Sequence, residues 1–544
     1  MMVNLGIDFG STYTMVSVMD GEEPKTVQPN GLSYSYPSIV AYDTNRKKYF
    51  FGDAARNKLG KRGIIGFRGF KMLLNNQMSS DYLIERNYDE INTPEFITEM
   101  FLRYVIETTL SNLGEDFVGT LVLGAPECWF QSIDTVDARG TLRDICGRMK
   151  DKVDTIRIIS EPTNAASFCV WSYEKSEGKE FTGDILVVDY GGGTLDTALV
   201  SVRRINGKLQ IKPEMRSGRG ENQGQEIGKA GIAYQEAVLR KVICDQMNIL
   251  PEEIEYGLDF DSAVKNFEEA LIHDSEDVAE TFHDFSATPA DLVNEIFTSV
   301  SYQGKSIDIN FAQMKVAYNE TIQPVLQTVL DETIEGIPKN RQIYLALVGG
   351  FCKFYLVKEQ INNYFNNGSL IANARNIIRK EENREKAIAH GAALFSENLI
   401  DLCHVANIGI GMYAVYNETG EIFKQYAINF MQEYVPEKVY FAVDEYGEVA
   451  PMMLTKLDKF LLNFSKNKDA GFLMHPKSKF AEQLNHVKHS PIVAVGFSID
   501  SSERISVHIY NYNIDPANRG PEEKPVASIQ LSTYKESFEN ATIQ

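Results

Sequence analysis

Two segments of this chain are built alike. Leu5-Gly-Ile-Asp-Phe-Gly-Ser-Thr-Tyr-Thr14 and Leu186-Val-Val-Asp-Tyr-Gly-Gly-Gly-Thr-Leu-Asp196 each run from an apolar stretch through an aspartate to a glycine turn and a hydroxyl residue. The apolar runs Leu5–Ile7 and Ile185–Val188 read as buried strands that deliver Asp8 and Asp189 to strand ends. Glycines at such turns let backbone N–H groups approach an anion closely. One copy alone is compatible with an ordinary hairpin. Two matched copies about 180 residues apart constrain the fold far more, because facing turns can clamp a polyphosphate chain.

The rest of the chain sets bounds on that reading. A length of 544 residues leads to an expectation of two to four structural units, each with its own core. No apolar stretch is long enough for a bilayer span, and no basic segment precedes the first strand, so neither a membrane protein nor a secretory signal is expected. Six scattered cysteines without a Cys-x-x-Cys pair read as buried thiols of a reducing, cytoplasmic compartment. A net charge of −21 argues against nucleic acid or an anionic membrane as the main partner and serves solubility.

Residues 1 to about 184 read as mixed α/β, with a strand at Thr120–Gly124 and helices at Pro94–Asn112 and Gln131–Met149. A second half-unit opens at Ile185 and continues through a strand pair, Thr197–Arg203 and Leu209–Pro213. A helix-rich acidic insertion follows over about 228 to 300, then a helix over Phe311–Ile337 and a buried strand at Ile343–Val348 ending at Gly349-Gly350. Strands alternating with helices point to a largely buried α/β sheet in each half. After about residue 400 the pattern changes to apolar–polar alternation broken by Gly, Asn and Asp turns: Gly409–Tyr416, Glu421–Ile428, Lys438–Val443, Pro491–Ile499 and Arg504–Tyr512. That is an antiparallel β module, joined to the first part by Leu399-Ile-Asp-Leu402.

Several local patterns lead nowhere. Gly304-Lys-Ser306 lacks the first glycine of a P-loop, and Gly218-Arg-Gly220 with Gly224 does not fit a dinucleotide fingerprint. His486-Val-Lys-His489 has metal-like spacing without further ligands and is read as a surface or turn feature. Tyr413, Tyr416, Phe430, Tyr434, Tyr440 and Phe441 are read mainly as core of the β module.

Five motifs in order resemble those of the actin/sugar-kinase/heat-shock-chaperone ATPase superfamily. Gly6-Ile-Asp-Phe-Gly-Ser-Thr-Tyr13 resembles the first phosphate motif and Val188-Asp-Tyr-Gly-Gly-Gly-Thr-Leu-Asp196 the second. Ile159-Ser-Glu-Pro-Thr-Asn-Ala-Ala166 and Ala387-Ile-Ala-His-Gly-Ala-Ala393 resemble the two connecting motifs, and Leu345-Ala-Leu-Val-Gly-Gly350 the adenosine motif. Tyr13, the Glu-Pro-Thr, Phe51-Gly-Asp-Ala-Ala55 and Phe70-Lys-Met-Leu-Leu74 are similar to the seventy-kilodalton heat-shock chaperone branch. His404-Val-Ala-Asn-Ile-Gly-Ile-Gly-Met412 and Val495–Val507 resemble parts of its peptide-binding sandwich.

The resemblance implies a fold and a set of roles. The fold is a two-lobed actin-like ATPase, duplicated ribonuclease-H-like sheets with inserted subdomains, followed by an antiparallel β-sandwich. Its implied bounds are 1–398 for the ATPase (lobe I 1–184, lobe II 185–398), 399–403 for the linker, 404–532 for the sandwich and 533–544 for a tail. Asp8, Glu161 and Asp189 are the implied shell of a hydrated Mg2+, with K+ as an optional companion. Lys71 is implied to hold the attacking water and γ-phosphate together with Thr194, and Ser11 and Thr12 to reach the β-phosphate. Gly10, Tyr13, Gly191, Gly192, Gly193, Gly224, Gln225, Glu226, Glu268, Ser275, Gly349, Gly350, Lys353 and Glu385 complete the implied ATP/ADP contacts.

The family's pattern also fails in places. Glu268-Glu-Ala-Leu-Ile-His-Asp-Ser275 keeps Glu268 and Ser275 but has Leu271 and Ile272 for the family's basic pair, and Phe351 stands where a small hydroxyl residue is usual. A looser base pocket is therefore expected. The twelve residues after Ser532 are too few for the family's helical lid or its co-chaperone tail. The expected activity is slow ATP hydrolysis coupled to gripping unfolded or extended apolar peptide, with co-chaperones as candidate partners. A nucleotide-gated binding protein with little turnover is the first alternative. An actin-like filament ATPase would leave the β module without a place, and a sugar or acetate kinase would need a catalytic-base motif that the chain lacks.

Overall fold

The computed structural model describes residues 2–31, 33–74, 83–84, 86–130, 133–219, 230–254, 258–273, 275–284, 295–335, 337, 341, 343–366, 375–378, 382–406, 409–415, 422–444, 446–453, 459–463, 472–474, 492–500, 505–530 and 541–543. The chain divides into two compact units: Met1–Cys128 with Thr141–Asp401, and Trp129–Gly140 with Leu402–Gln544.

Unit 1 holds two sheets of one design. In the first, β1 (Met2–Phe9), β2 (Tyr13–Asp20), β3 (Glu23–Thr26) and β4 (Tyr36–Pro37) are followed by a small three-stranded sheet, β5 (Ile39–Asp43), β6 (Lys48–Phe51) and β7 (Ile64–Arg68), with α1 (Gly52–Arg56) between β6 and β7. Then come α2 (Pro94–Leu113), β8 (Phe117–Ala125), α3 (Ile133–Gly147, whose residues up to Gly140 are grouped with unit 2), β9 (Val153–Ser160) and α4 (Glu161–Glu177). The main sheet runs β3-β2-β1-β8-β9, antiparallel from β1 to β2 and parallel from β1 to β8 and from β8 to β9.

The second sheet repeats this plan. It contains β10 (Gly183–Tyr190), β11 (Leu195–Ile205) and β12 (Lys208–Arg219), followed by α5 (Gly231–Met247), α6 (Leu258–His273) and α7 (Ser275–Asp284). A hairpin of β13 (Ile296–Tyr302) and β14 (Lys305–Asn310) leads to α8 (Phe311–Thr321), α9 (Gln323–Ile334), β15 (Ile343–Val348), α10 (Tyr355–Asn366), β16 (Arg375–Asn376), α11 (Glu382–Ser396) and β17 (Asp401–Leu402). Its order is β16-β15-β10-β11-β12-β17, with β10 antiparallel to β11 and parallel to β15. The central strands are buried on both faces, Ile185 to Tyr190 without interruption, as parallel strands covered by helices must be.

Local sequence explains most boundaries. Thr93 caps α2 by accepting a hydrogen bond from the Phe96 amide (3.2 Å), Pro94 opens its first turn, and Gly114 closes it in the left-handed region at φ 68°. The single helix expected over Phe311–Ile337 is corrected to two, because Pro324 cannot continue a helix and instead opens the first turn of α9. Gly304 is the tip of the β13–β14 hairpin at φ 75°, which explains why its P-loop-like neighbours form no phosphate loop.

Helix α11 is the central strut, packing on α4, β1, β2, β3 and β8. Close approach depends on absent side chains: a Cβ at Gly391 would lie 1.7 Å from the Asn164 carbonyl oxygen, and one at Gly6 would lie 2.2 Å from the Ala393 nitrogen. The two connecting motifs therefore cross backbone to backbone. Beside that crossing lies His390, its Nε2 2.9 Å from the Thr26 hydroxyl and its ring edge-on to Phe168 at 5.0 Å. Burial, with Lys386 adding a like charge, pushes His390 from its ordinary 6.5 down to about 4.

A histidine depressed in the folded state makes its full stability contribution above its unfolded value and loses it as pH falls from 6.5 through about 4. We expect His390→Gln to flatten the decline in unfolding free energy between pH 7 and about 4.5 by roughly 2–3 kcal/mol. Urea titrations at the two pH values check this, and an unaltered decline would refute it.

Unit 2 is a β-sandwich. One sheet has the order β19-β18-β22-β23-β28, from β18 (Gly409–Val415), β19 (Ile422–Ile428), β22 (Lys459–Asn463), β23 (Phe472–Met474) and β28 (Ala541–Ile543). The other is centred on β24 (Ile492–Ile499) and β25 (Ile505–Asn513), with β20 (Tyr440–Phe441) and β21 (Met452–Met453) on β24, and β26 (Gly520–Pro521) and β27 (Ala527–Gln530) on β25. Ile410, Met412 and Ile428 of the first sheet meet Val493, Val495, Phe497, Val507 and Ile509 of the second in one core. The expected strand at Lys438–Val443 is reduced to Tyr440–Phe441, and strand structure does not end near Ser532, since Ala541–Ile543 pairs with β23. Tyr434 is buried and Phe430, Tyr440 and Phe441 are partly buried, whereas Tyr416, His486 and His489 and the Tyr413 side chain lie outside the described residues.

Candidate functional site

The two glycine turns sit at equivalent places in equivalent hairpins. β1 and β2 pair from Gly6↔Ser17 to Phe9↔Thr14, leaving Gly10-Ser11-Thr12 as the turn. β10 and β11 pair down to Tyr190↔Leu195, leaving Gly191 to Thr194, closed by a 2.9 Å bond from the Gly191 amide to the Thr194 carbonyl. The turns face each other closely. A Cβ on Gly192 would stand 2.1 Å from the Thr12 hydroxyl oxygen, and one on Gly193 would stand 2.3 Å from that of Ser11. A side chain at either glycine would force Thr12 or Ser11 aside, so glycine lets the two turns approach this closely.

Three more elements bring charge between the turns. Gly69, at φ 62°, redirects the chain after β7 into a short 3-10 turn, Phe70–Leu73, which carries Lys71 inward to 2% exposure. Helix α4 starts at Glu161 because Ser160 takes the N-cap place and Pro162 fits the first turn, so the Glu161 carboxylate lies at the positive end of the helix. Lys71 Nζ donates to Glu161 Oε1 at 2.6 Å in a buried ion pair.

The charge is unbalanced. Asp8 is pushed up to about 7 by burial first and Glu161 second, against the pull of Lys71. Asp189 is held well above the ordinary carboxylate range by burial, then by Glu161, Asp196 and Asp8. Burial draws the Lys71 ammonium down, but Glu161, Asp8 and Asp196 outweigh it and leave it above its ordinary value. One ammonium thus faces four carboxyl groups, two of which burial and mutual repulsion push toward the protonated form. A second cation would relieve the repulsion, and oxygen donors of this kind suit a hard one. Among the described residues no three His, Cys, Asp or Glu side chains come together closely enough to ligate a metal directly. The chemistry of the donor set fits a hard cation such as Mg2+.

Asp8, Lys71, Glu161 and Asp189 line one cavity of about 470 Å³. Gly10, Ser11, Thr12, Tyr13, Gly191, Gly192, Gly193, Thr194, Glu268, Ser275, Gly349, Gly350, Lys353 and Glu385 share its wall. Every candidate residue within the described part of the chain is on its wall. Gly224, Gln225 and Glu226 lie outside the described residues, as does the Ile272 side chain. Gly349 has φ 82°, and a Cβ there would meet the Tyr190 carbonyl oxygen at 2.5 Å and Asp189 Oδ1 at 2.6 Å, so this glycine closes the floor beneath the second turn. Lys353 pairs with Glu385 across the mouth.

Sequence reasoning missed Tyr234, Gln235, Val278, Phe354 and Tyr355 on the same wall. The run Phe351-Cys-Lys-Phe-Tyr355 directly after a glycine pair carried a signal for the last two. Tyr234 and Gln235 had none, since only the docking of α5 against the second turn, where the Ile232 amide donates to the Gly192 carbonyl at 2.8 Å, brings them in. No helix among the described residues is long and apolar enough to cross a membrane. The family model for Hsp70 proteins matches residues 4–410, which takes in both glycine turns, both sheets of unit 1 and the first residues of the β-sandwich. With three-quarters of its length accounted for by that match, the chain belongs to the Hsp70 family.

Proposed function

We propose that this protein is an ATP-dependent molecular chaperone, a slow ATPase whose nucleotide state alters how its β-sandwich holds extended apolar peptide. The observation that carries the reading is the buried Lys71–Glu161 pair set between two facing glycine turns and flanked by Asp8 and Asp189. The turns offer backbone N–H groups to the phosphates, and Ser11, Thr12 and Thr194 add hydroxyl donors. Lys71 bears on the γ-phosphate and the attacking water, with charge fixed before reaction begins, which is where electrostatic catalysis draws its strength. When bound, Mg2+ supplies charge neutralisation on the phosphate oxygens, held through water by Asp8, Glu161 and Asp189.

Unit 2 supports the peptide half. Its sheets end in short strands, and Val435, Tyr446, Met453, Ile514 and Val526 are exposed, so backbone pairing and apolar contact are both on offer to an extended chain. The joint supports coupling: Asp401 pairs with Lys208, the first residue of β12, Ile400 is buried, and Leu399 is about half exposed. Leu399 and Leu402 can dock in one lobe arrangement and leave it in the other. Coupled binding is reciprocal, so ATP that loosens peptide is itself affected by peptide, although a rate effect need not match in size.

The test is peptide-stimulated hydrolysis by the full chain and by the Leu399→Asp/Leu402→Asp double variant. Wild type should change its ATP turnover several-fold with an apolar peptide, and the variant should lose the effect while still hydrolysing ATP and binding peptide. Full ATP-driven peptide release by the variant would sink the coupling role. Binding of ATP without turnover in wild type would favour the nucleotide-gated alternative.

A further inference from the structure

One edge of the β-sandwich is closed from far along the chain. β23 pairs on one side with β22, its neighbour in sequence, and on the other with β28. The second partnership is antiparallel, Phe472↔Ile543, Leu473↔Thr542 and Met474↔Ala541. The segment that provides it leaves the opposite sheet at Gln530, the end of β27, and reaches the first sheet at Ala541. Without it, β23 would be the sheet's edge, with the outward N–H and C=O groups of Phe-Leu-Met unpaired and ready to template an extended chain. The cover is slight: β28 is three residues long, and among the described residues no strand pairs with its far side. The surrounding sequence carries opposite charge. Lys466, Lys468, Lys477 and Lys479 flank β23 in a chain of net charge −21, whereas Glu536 and Glu539 precede β28.

We propose that the outer edge of β23 is a strand-addition site for an extended apolar polypeptide with acidic residues beside it, and that Ala541–Ile543 occupies the site as an internal competitor. This rests on the peptide half of the proposed function and gives it a place and a control. The resident strand displays the chemistry that fits. Its main chain supplies the ladder, and the β-branched Thr542 and Ile543 suit a pleated surface. Main-chain pairing tolerates many sequences, and the opposed charges favour acidic ones. A site closed in cis binds its ligand more weakly in proportion to the fraction of time it stands open. An incoming segment is therefore held only when it pairs better than three residues can.

Peptide titration and amide hydrogen exchange on the full chain test this, in wild type and in the Thr542→Pro/Ile543→Pro double variant. Adjacent N–H groups of a strand point to opposite sides, so one of the two prolines must remove a donor facing β23. The probes are a peptide of residues 536–543, Glu-Ser-Phe-Glu-Asn-Ala-Thr-Ile, and an unrelated extended apolar peptide bearing two glutamates. Both should bind the double variant about tenfold more tightly than wild type, because the competitor is gone. Exchange across Phe472–Met474 should quicken in the double variant and slow again when either peptide is added. Equal affinity of the unrelated peptide for both proteins would overturn the inference with peptide binding intact, as would tighter binding that leaves Phe472–Met474 exchanging freely. Failure of the unrelated peptide to bind either protein would instead overturn the peptide reading itself, and this inference with it.

Discussion

Replacing Lys71 by alanine is expected to lower ATP turnover by roughly two to three orders of magnitude while nucleotide affinity stays within about threefold. The asymmetry follows from position. In the proposed reading the phosphates are held by the turns Gly10–Thr12 and Gly191–Thr194, whose strand pairing does not involve Lys71. What the ammonium contributes grows as charge shifts during reaction, so its loss is felt in the rate. The variant should also show its origin in the absence of nucleotide. Glu161, 4% exposed, loses its 2.6 Å partner among like charges, and removing one member of a buried pair costs about 3–5 kcal/mol. Lys71→Met combined with Glu161→Gln should recover most of that stability and none of the turnover. Single-turnover hydrolysis, calorimetry and thermal unfolding separate the three effects. Turnover within tenfold of wild type in Lys71→Ala would contradict the role.

The second large effect is expected far from any phosphate. Gly391→Ala adds one methyl group to α11, and that methyl has nowhere to go: it would stand 1.7 Å from the Asn164 carbonyl oxygen and 2.5 Å from its carbonyl carbon. Both obstacles are backbone. Neither helix can give, because α11 is packed on β1 and β8 and α4 begins at the end of β9. Overpacking of this kind lies at the upper end of its range, so a loss of about 3 kcal/mol or more in unfolding free energy is expected. Because α4 presents Glu161, a displaced helix should also weaken ATP binding, whereas Gly114→Ala, at a helix end with open space around it, should leave that binding untouched. Denaturant titration and calorimetry on both variants decide the matter; equal stability of Gly391→Ala and wild type would refute the crossing as described.

How much was legible beforehand depends on where the constraint sits. Asp8, Asp189 and the turns after them could be read directly because the information is local: an apolar strand, an acid, glycines. Lys71 and Glu161 carry no such local mark. Each resembles an ordinary surface residue in isolation, and only the resemblance of Ile159–Ala166 and Phe70–Leu74 to family motifs brought them to the cavity. The break at Ile322 was legible in principle from Pro324 and was overridden by the long helical periodicity on either side. Tyr234 and Gln235 were beyond reach because they arrive by docking of one helix against a turn more than forty residues away. The sheet edge taken by Ala541–Ile543 was equally hidden, since three residues of strand are too few to show any alternation.

The closeness of the two glycine turns has a kinetic consequence. With Gly192 and Gly193 nearly touching Thr12 and Ser11, the two sides of the cradle behave as jaws that already rest against each other. On the proposed reading, a polyphosphate chain clamped between the turns would be released only if the sheets that carry them moved apart. Its residence time would then follow the frequency of that opening more than the strength of individual phosphate contacts.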